Sequence, residues 1–231
     1  DSAGARRRFL DRLVLAISPA HATLSNRYET ALRNRNRLLA DEVEPDPRWL
    51  DAIEAQLAEH GAQLAANRCL LVERLNAALL AETDTPFPRP SLALEPVGPE
   101  EQEPLARALR DNRPTDRRAG RTLIGPHRVE LAVTLADKGV PAATASTGEQ
   151  KAMLIAIVLA HGAIAAKGRA GVLLMDEVAA HLDPDRRAAL FARLAANGEQ
   201  VWMTGTERAP FDAILAQAAV WDVSGGALQR L

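Results

Sequence analysis

The sequence predicts an α/β protein: a mostly parallel sheet with helices, preceded by an all-helical arm. Three observations predict it. Leu50, Leu57, Leu64 and Leu71 recur every seven residues, as on the apolar stripe of a long amphipathic helix. Six prolines fall within the 22 residues that start at Thr83, too many for a helix or a central strand. Beyond them, short apolar runs alternate with helical patterns, the rhythm of a parallel sheet covered by helices.

Taken in order, RRRFLDRLVLAI puts Phe9, Leu10, Leu13, Val14 and Ile17 at helical spacing, and Pro19 ends that helix. LSNRYETALRNRNRLLAD continues with Leu24, Tyr28, Leu32 and Leu39 inward and Arg27, Arg33, Arg35 and Arg37 mostly outward. After the turn EPDP, residues 48 to about 81 form one helical pattern, with Ile53 and Leu75 beside the heptad leucines. The companion seam carries His60, Asn67 and Arg74. Such polar groups disfavour a long two-stranded coiled coil, so a helical hairpin or small bundle is expected. His60 and Trp49 read as packing or surface residues.

The proline-rich stretch, 83–104, reads as a linker or extended surface segment. It lies within a helical arm, 1–112, that precedes a second domain, 113–231. A short helix around LARALRDN follows it. Val129, Leu131, Val133 and Leu135 then alternate into a strand, and Asp137-Lys138-Gly139 signals a turn. The remainder reads as a helix over 148–166, a strand at 172–175 buried on both faces, and a helix over 184–197. A strand at 201–204, a helix from about Phe211 and a last strand ending near Val223 complete it.

Composition bounds the classes available. Hydrophobic residues at 47% and charged residues at 25% of 231 are those of an ordinary globular protein. One cysteine, Cys69, excludes an internal disulfide and fits a reducing, cytoplasmic compartment. The nearly apolar run 152–166 is interrupted by His161 and Gly162 and is short for a membrane span of about 20 residues. It reads as a buried helix. The net charge of −2 conceals segregation: residues 1–40 carry eight arginines against three acids, 41–112 six basic against fifteen acidic residues, and 113–129 five arginines against one aspartate. Basic islands of this kind can form a polyanion-binding surface. The plainer reading is a set of solvated helix faces.

Two stretches carry chemistry. In STGEQ, Ser146 is an N-cap and Glu149 completes a capping box, and Gly148 leaves backbone amides open to a close approach. A helix tip with free N–H groups suits a phosphate. In VLLMDEVAAHLD, an apolar strand ends in Asp176 and Glu177, at the carboxyl edge where α/β sheets place ligands. Two adjacent acids there suit nucleotide hydrolysis: one holds Mg²⁺ through water, the other polarises the attacking water. Asp183 and Pro184 then start the next helix. Taken singly, a capping box or a Asp-Glu pair could be structural; their order and spacing carry the signal.

That order resembles the C-terminal half of an ABC-type ATPase lobe. The resemblance implies that Ser146 and Gly148, with Glu149, are signature contacts to the γ-phosphate of ATP held by the other protomer. It makes Asp176 the Mg²⁺-holding Walker B aspartate, Glu177 the catalytic glutamate, and 180–183 the D-loop ending in Asp183, with Thr204 of the Thr-Gly-Thr strand end beside the nucleotide. RRRFLDRL, RNRLL (35–39) and RTLIGPHRVEL (121–131), together with these motifs, resemble the RecF family of bacterial replication and recombination-repair ATPases. Departures are Asp176-Glu177 where two aspartates are expected and Ala180-His181 where Ser-Glu is more usual.

The RecF resemblance implies an ATP-dependent homodimer that clamps duplex DNA and single-strand gap junctions and helps load RecA, with RecO and RecR as partners. Arg6, Arg7, Arg8 and Arg12, and Arg117, Arg118, Arg121 and Arg128, become candidate phosphate contacts, read without sequence preference. With 3% aromatic residues, base stacking is a poor main contact mode. No GxxxxGK[ST] occurs in the 231 residues. The expectation is that a P-loop segment precedes Asp1 and that this chain alone neither binds ATP tightly nor hydrolyses it. Rival readings are a transporter-type or other ABC nucleotide-binding domain, and a non-catalytic helical interaction protein whose heptads are the working surface.

Overall fold

The computed structural model of the chain describes residues 2–82, 86–166, 171–179, 182–196 and 200–231. They form two compact units, one of Asp1–Ala78 with Ser91–Thr134, the other of Leu79–Pro90 with Leu135–Leu231. This division differs from the expected one at 112/113: residues 113–134 pack with the arm. The reason is polar. Asp116 and Thr122 both take hydrogen bonds from the buried Arg35 guanidinium (2.6 and 2.8 Å), and the Pro126 carbonyl takes one from Arg68 (2.7 Å).

The first unit is built on three helices, α1 (Ala3–Ile17), α2 (Ala20–Ala40) and α3 (Pro47–Ala81). The heptad leucines 50, 57, 64 and 71 are all buried, as is Leu75. Tyr28, Ala31, Leu57, Ala58, Leu64, Leu105 and Leu109 form the core where α4 (Gln102–Asp111) packs on α2 and α3. The proline-rich segment is not linker throughout: strand β1 (Pro90–Glu95) lies in it. Asn76 fixes that strand by donating to the Leu92 carbonyl (2.8 Å) and accepting from its N–H (2.9 Å). The short helix α5 (Arg113–Ala119) follows α4, and a 3₁₀ turn, Pro126–Arg128, leads into β2 (Glu130–Leu135), the sheet neighbour of β1.

Arg35 corrects the outward placement expected for the α2 arginines. It is fully buried, donating to Glu54 (2.9 Å), Asp116, Thr122 and the Leu109 carbonyl (2.7 Å). A buried guanidinium persists only where its donors are met, and here four acceptors meet them.

The second unit opens with the turn after Leu135, whose carbonyl accepts the Gly139 N–H (2.8 Å), and β3 (Val140–Pro141) follows. Helix α6 (Thr147–Ala166) is long and apolar enough to cross a membrane by length and composition. Ala152, Met153, Ala156, Ile157, Leu159 and Ala160 of it are buried within the protein, as a core helix requires. Strands β4 (Val172–Met175) and β5 (Gln200–Met203) pair in parallel, Leu174 opposite Trp202, with α7 (Pro184–Ala196) between them in sequence.

Three expectations change here. Val172 and Leu174 are 60% and 75% exposed, so β4 is buried on one face, not two. The helix expected from Phe211 is a 3₁₀ run, Ala209–Gln217. The last strand, β6 (Trp221–Ser224), is half of an antiparallel hairpin with β7 (Ala227–Arg230). Gly225 and Gly226, both at positive φ (57° and 78°), make the tight turn that such a hairpin needs.

Candidate nucleotide edge and basic surface

The tip of α6 forms the predicted capping box. The Glu149 carboxylate accepts from the Ser146 N–H (2.9 Å) and hydroxyl (2.8 Å), and the Glu149 N–H donates back to Ser146 Oγ (3.3 Å). Lys138, from the turn after β2, adds an ion pair to Glu149 at 2.6 Å. That ammonium, with the Ser146 hydrogen bonds, holds the Glu149 carboxyl down at about 2. Ser146, Thr147 and Gly148 stay exposed, so the helix tip is open.

At the other motif, β4 delivers Asp176 and Glu177 to the carboxyl edge of the β4–β5 pair. Asp176 is exposed and Glu177 half-buried. One hydroxyl ties them: Thr204 Oγ1 donates to Asp176 Oδ1 and accepts the Glu177 N–H (3.2 Å). Thr204 can do so because its own N–H continues the parallel ladder to the Met175 carbonyl (3.0 Å). Glu177 has φ +54°, a region costly for a residue with a Cβ; such strain concentrates at functional sites.

Asp183 caps α7, accepting the Arg186 N–H at 2.9 Å, which holds its carboxyl below the usual range. Ala180 and His181 of the expected D-loop lie outside the described residues. The sequence reading missed Arg186. Its guanidinium pairs with Asp183 (3.3 Å), and a Cβ placed on Gly148 would lie 3.9 Å from its Nη1. Arg186 therefore stands between Asp183, the aspartate of the expected D-loop, and the tip of α6. The i, i+3 spacing of Asp183 and Arg186 was the available signal.

The eight candidate DNA-binding arginines divide by exposure. Arg6 pairs with Glu130 (2.6 Å); Arg7 donates to the Val129 carbonyl (3.0 Å), and burial pulls its pKa down. Both are engaged in holding α1 to β2. Arg117 donates to the Asp41 carbonyl (2.7 Å) and Arg118 to the Pro114 carbonyl (3.3 Å). Arg8, Arg12, Arg121 and Arg128 are exposed, as is Arg118.

The GPHR stretch is a lock inside the arm. Gly125, at φ +114°, has room for no side chain: a Cβ would stand 2.9 Å from the Tyr28 hydroxyl. His127 accepts that hydroxyl on Nδ1 (2.8 Å) and donates from Nε2 to the Thr122 carbonyl (3.0 Å). Burial depresses the His127 pKa and raises that of Tyr28, which keeps both neutral. Below them Arg68 grips Asp11 with two bonds (2.8 and 2.9 Å), and buried His21 donates to the same carboxylate (3.0 Å). Burial alone would raise the Asp11 pKa, but His21 and Arg68 outweigh it and hold it low.

A parallel strand edge ending in an acidic pair, a capped helix tip and a helical arm make up the fold of the C-terminal half of an ABC-type ATPase lobe. No family model matches the chain. The chain is similar to the DNA replication and repair protein RecF of Brucella abortus (strain 2308), 50% identical over 236 residues, covering 96% of this chain and 61% of the relative. RecF of Mesorhizobium japonicum is 46% identical over 233 residues, with the same coverage. The chain thus spans about three-fifths of the length of the curated relatives it matches. Two solved structures, of the recombination mediator protein RecF with ATP and with ATPrS in the RecFOR pathway, superpose at TM-scores of 0.79 and 0.81. They cover all of this chain and 64% of theirs at 21% and 22% identity, and so show the shared fold. The resemblance to RecF holds over nearly the whole of this chain.

Proposed function

We propose that this chain supplies the signature tip and acidic edge of an ATP-dependent DNA-binding protein of DNA replication and recombinational repair, acting in the cytoplasm. The observation that carries the reading is the Thr204 hydroxyl holding Asp176 and Glu177 together at an open strand edge. The resemblance to RecF and the RecFOR pathway to which the solved relatives belong support the wider role. In that role the protein dimerises on ATP, binds duplex DNA and single-strand gap junctions without reading sequence, and assists RecA loading with RecR and RecO.

The residues present fit Mg²⁺ and ATP. Among the described residues no trio of acids, histidines or cysteines forms an all-protein metal cage. A single carboxylate, Asp176, suits Mg²⁺, which keeps waters and takes substrate phosphates as its other ligands. Held there, Mg²⁺ would supply charge neutralisation to the transferring phosphoryl group. Glu177 orients and deprotonates the attacking water, and Thr204 sets the direction of the Asp176 carboxylate and anchors the Glu177 backbone. The amides of Thr147 and Gly148 at the exposed tip bind the γ-phosphate of a nucleotide held by a second copy, with Ser146 beside them, Glu149 shaping the tip, and Asp183 and Arg186 next to it. Arg8, Arg12, Arg121 and Arg128 contact DNA phosphates, with Arg117 and Arg118 beside the latter pair. Arg6 and Arg7 support that surface from behind.

The test is Glu177→Gln in a protein that carries this chain at the full length of its RecF relatives. Hydrolysis is expected to fall at least about a hundredfold, as for loss of a general base, while ATP-dependent dimerisation persists in sedimentation. Retained hydrolysis would remove Glu177 from the role.

A further inference from the structure

Two cations flank the tip of α6, and they are committed to different degrees. Lys138 meets Glu149 at 2.6 Å, and the same carboxylate accepts the Ser146 N–H and hydroxyl, so the acid of the tip is already answered. Arg186, from the first turn of α7, is the second cation. Its Nη1 stands 3.9 Å from the place a Cβ on Gly148 would occupy. A helical Cα–Cβ bond tilts toward the N-terminus, so that place lies on the tip side of Gly148. Among the described residues outside α6, no other atom comes within 4 Å of it.

What holds Arg186 there is light. Nε donates to the Pro86 carbonyl at 3.3 Å, and the guanidinium pairs with Asp183, also at 3.3 Å; both are long for such contacts. Asp183 makes its shorter bond elsewhere, accepting the Arg186 backbone N–H at 2.9 Å. The Arg186 side chain is 26% exposed. A guanidinium carries five N–H donors, and among the described residues the Pro86 carbonyl is the hydrogen-bond acceptor its side chain meets.

Charge decides what this corner accepts. Glu149 and Asp183 bring two negative charges, Lys138 and Arg186 two positive ones. Without Arg186 the balance turns negative and opposes a phosphate. Backbone amides at a helix tip take any anion, whereas a guanidinium forks two oxygens of one phosphate. We propose that Arg186 is a specificity-determining residue: its guanidinium binds the terminal phosphate of a nucleoside triphosphate resting on the Thr147 and Gly148 amides. A diphosphate ends one phosphate short of both. The proposal rests on the reading of the α6 tip as the γ-phosphate contact, and adds the side chain that makes that contact selective.

The test follows dimerisation by sedimentation velocity in a protein that carries this chain at the full length of its RecF relatives, with ADP and with a non-hydrolysable ATP analogue. Wild type is expected to dimerise with the analogue and far less with ADP. Arg186→Gln is expected to raise the analogue concentration needed about tenfold or more, through loss of a charge-assisted bond, and to leave the ADP response unchanged. Arg186→Lys keeps the charge without the fork and should restore part of the loss. Gly148→Asp puts a carboxylate at the tip itself and should block dimerisation. If Gly148→Asp blocks it and Arg186→Gln does not, the tip reading stands and the role of Arg186 is overturned. If wild type ignores the analogue, or neither variant has an effect, both fall. A Lys variant as weak as Gln would assign the loss to the Pro86 and Asp183 contacts and overturn the proposal, whatever the thermal melts of the two variants show.

Discussion

Thr204 holds two acids with one hydroxyl, and the chemistry of that arrangement is testable at a single atom. Thr204→Val keeps the shape and removes the oxygen that meets Asp176 and the Glu177 N–H. In a protein that carries this chain at the full length of its RecF relatives, kcat for ATP hydrolysis is expected to drop about tenfold or more, as for a misplaced acidic pair. KM should change little, and Thr204→Ser should restore most of the rate. An exposed position makes the stability cost small, so thermal melts of wild type and Thr204→Val should nearly superpose. A Ser variant as slow as Val would assign the effect to packing instead. Thr204 could be placed beside the acids from sequence, because parallel strands end together. Its bridging role could not, because it depends on the one-to-one register of β4 and β5. Arg35 shows the same limit more sharply: its acids Glu54 and Asp116 lie 19 and 81 residues away, and helical period alone turned it outward.

Among the elements, those that announce themselves locally were legible. The capping box needs residues three apart, the heptad stripe residues seven apart, and both formed where the pattern put them. What failed rested on distant partners or on the fine balance between helix types: the strand inside the proline-rich segment, held by Asn76, and the 3₁₀ run at Ala209–Gln217. The α6 tip carries an element-scale prediction. Glu149 titrates near 2 when folded, below its ordinary 4.5. A depressed carboxyl contributes stability above the unfolded value and loses it as pH falls, so α6 should fray at its N-terminus between about pH 4.5 and 2. Lys138 is the first cause of the depression. Lys138→Met should therefore raise the Glu149 midpoint, measured by NMR of its side-chain carboxyl, yet leave it below 4.5 because the Ser146 donors remain. A midpoint unmoved by that substitution would show the ion pair to be inactive in solution.

For the molecule as a whole, the strand faces decide its solution behaviour. Val172, Leu174 and Trp202 are 60%, 75% and 56% exposed and share one face of the β4–β5 pair. Val223 and Leu228, cross-strand partners in the hairpin, are 71% and 69% exposed. Contiguous apolar surface on strands with unpaired edges drives association, whereas the basic and acidic blocks elsewhere act through charge that salt screens. The 231-residue chain is therefore expected to self-associate with rising concentration in sedimentation velocity, and 1 M NaCl should leave that association intact or strengthen it. Leu174→Lys places a charge in the middle of the face without touching the inward residues Leu173 and Met175. It should shift the distribution toward monomer while helix content is unchanged. If association dissolved in salt and ignored Leu174→Lys, the charged islands would be its cause and the bare sheet face would be inert.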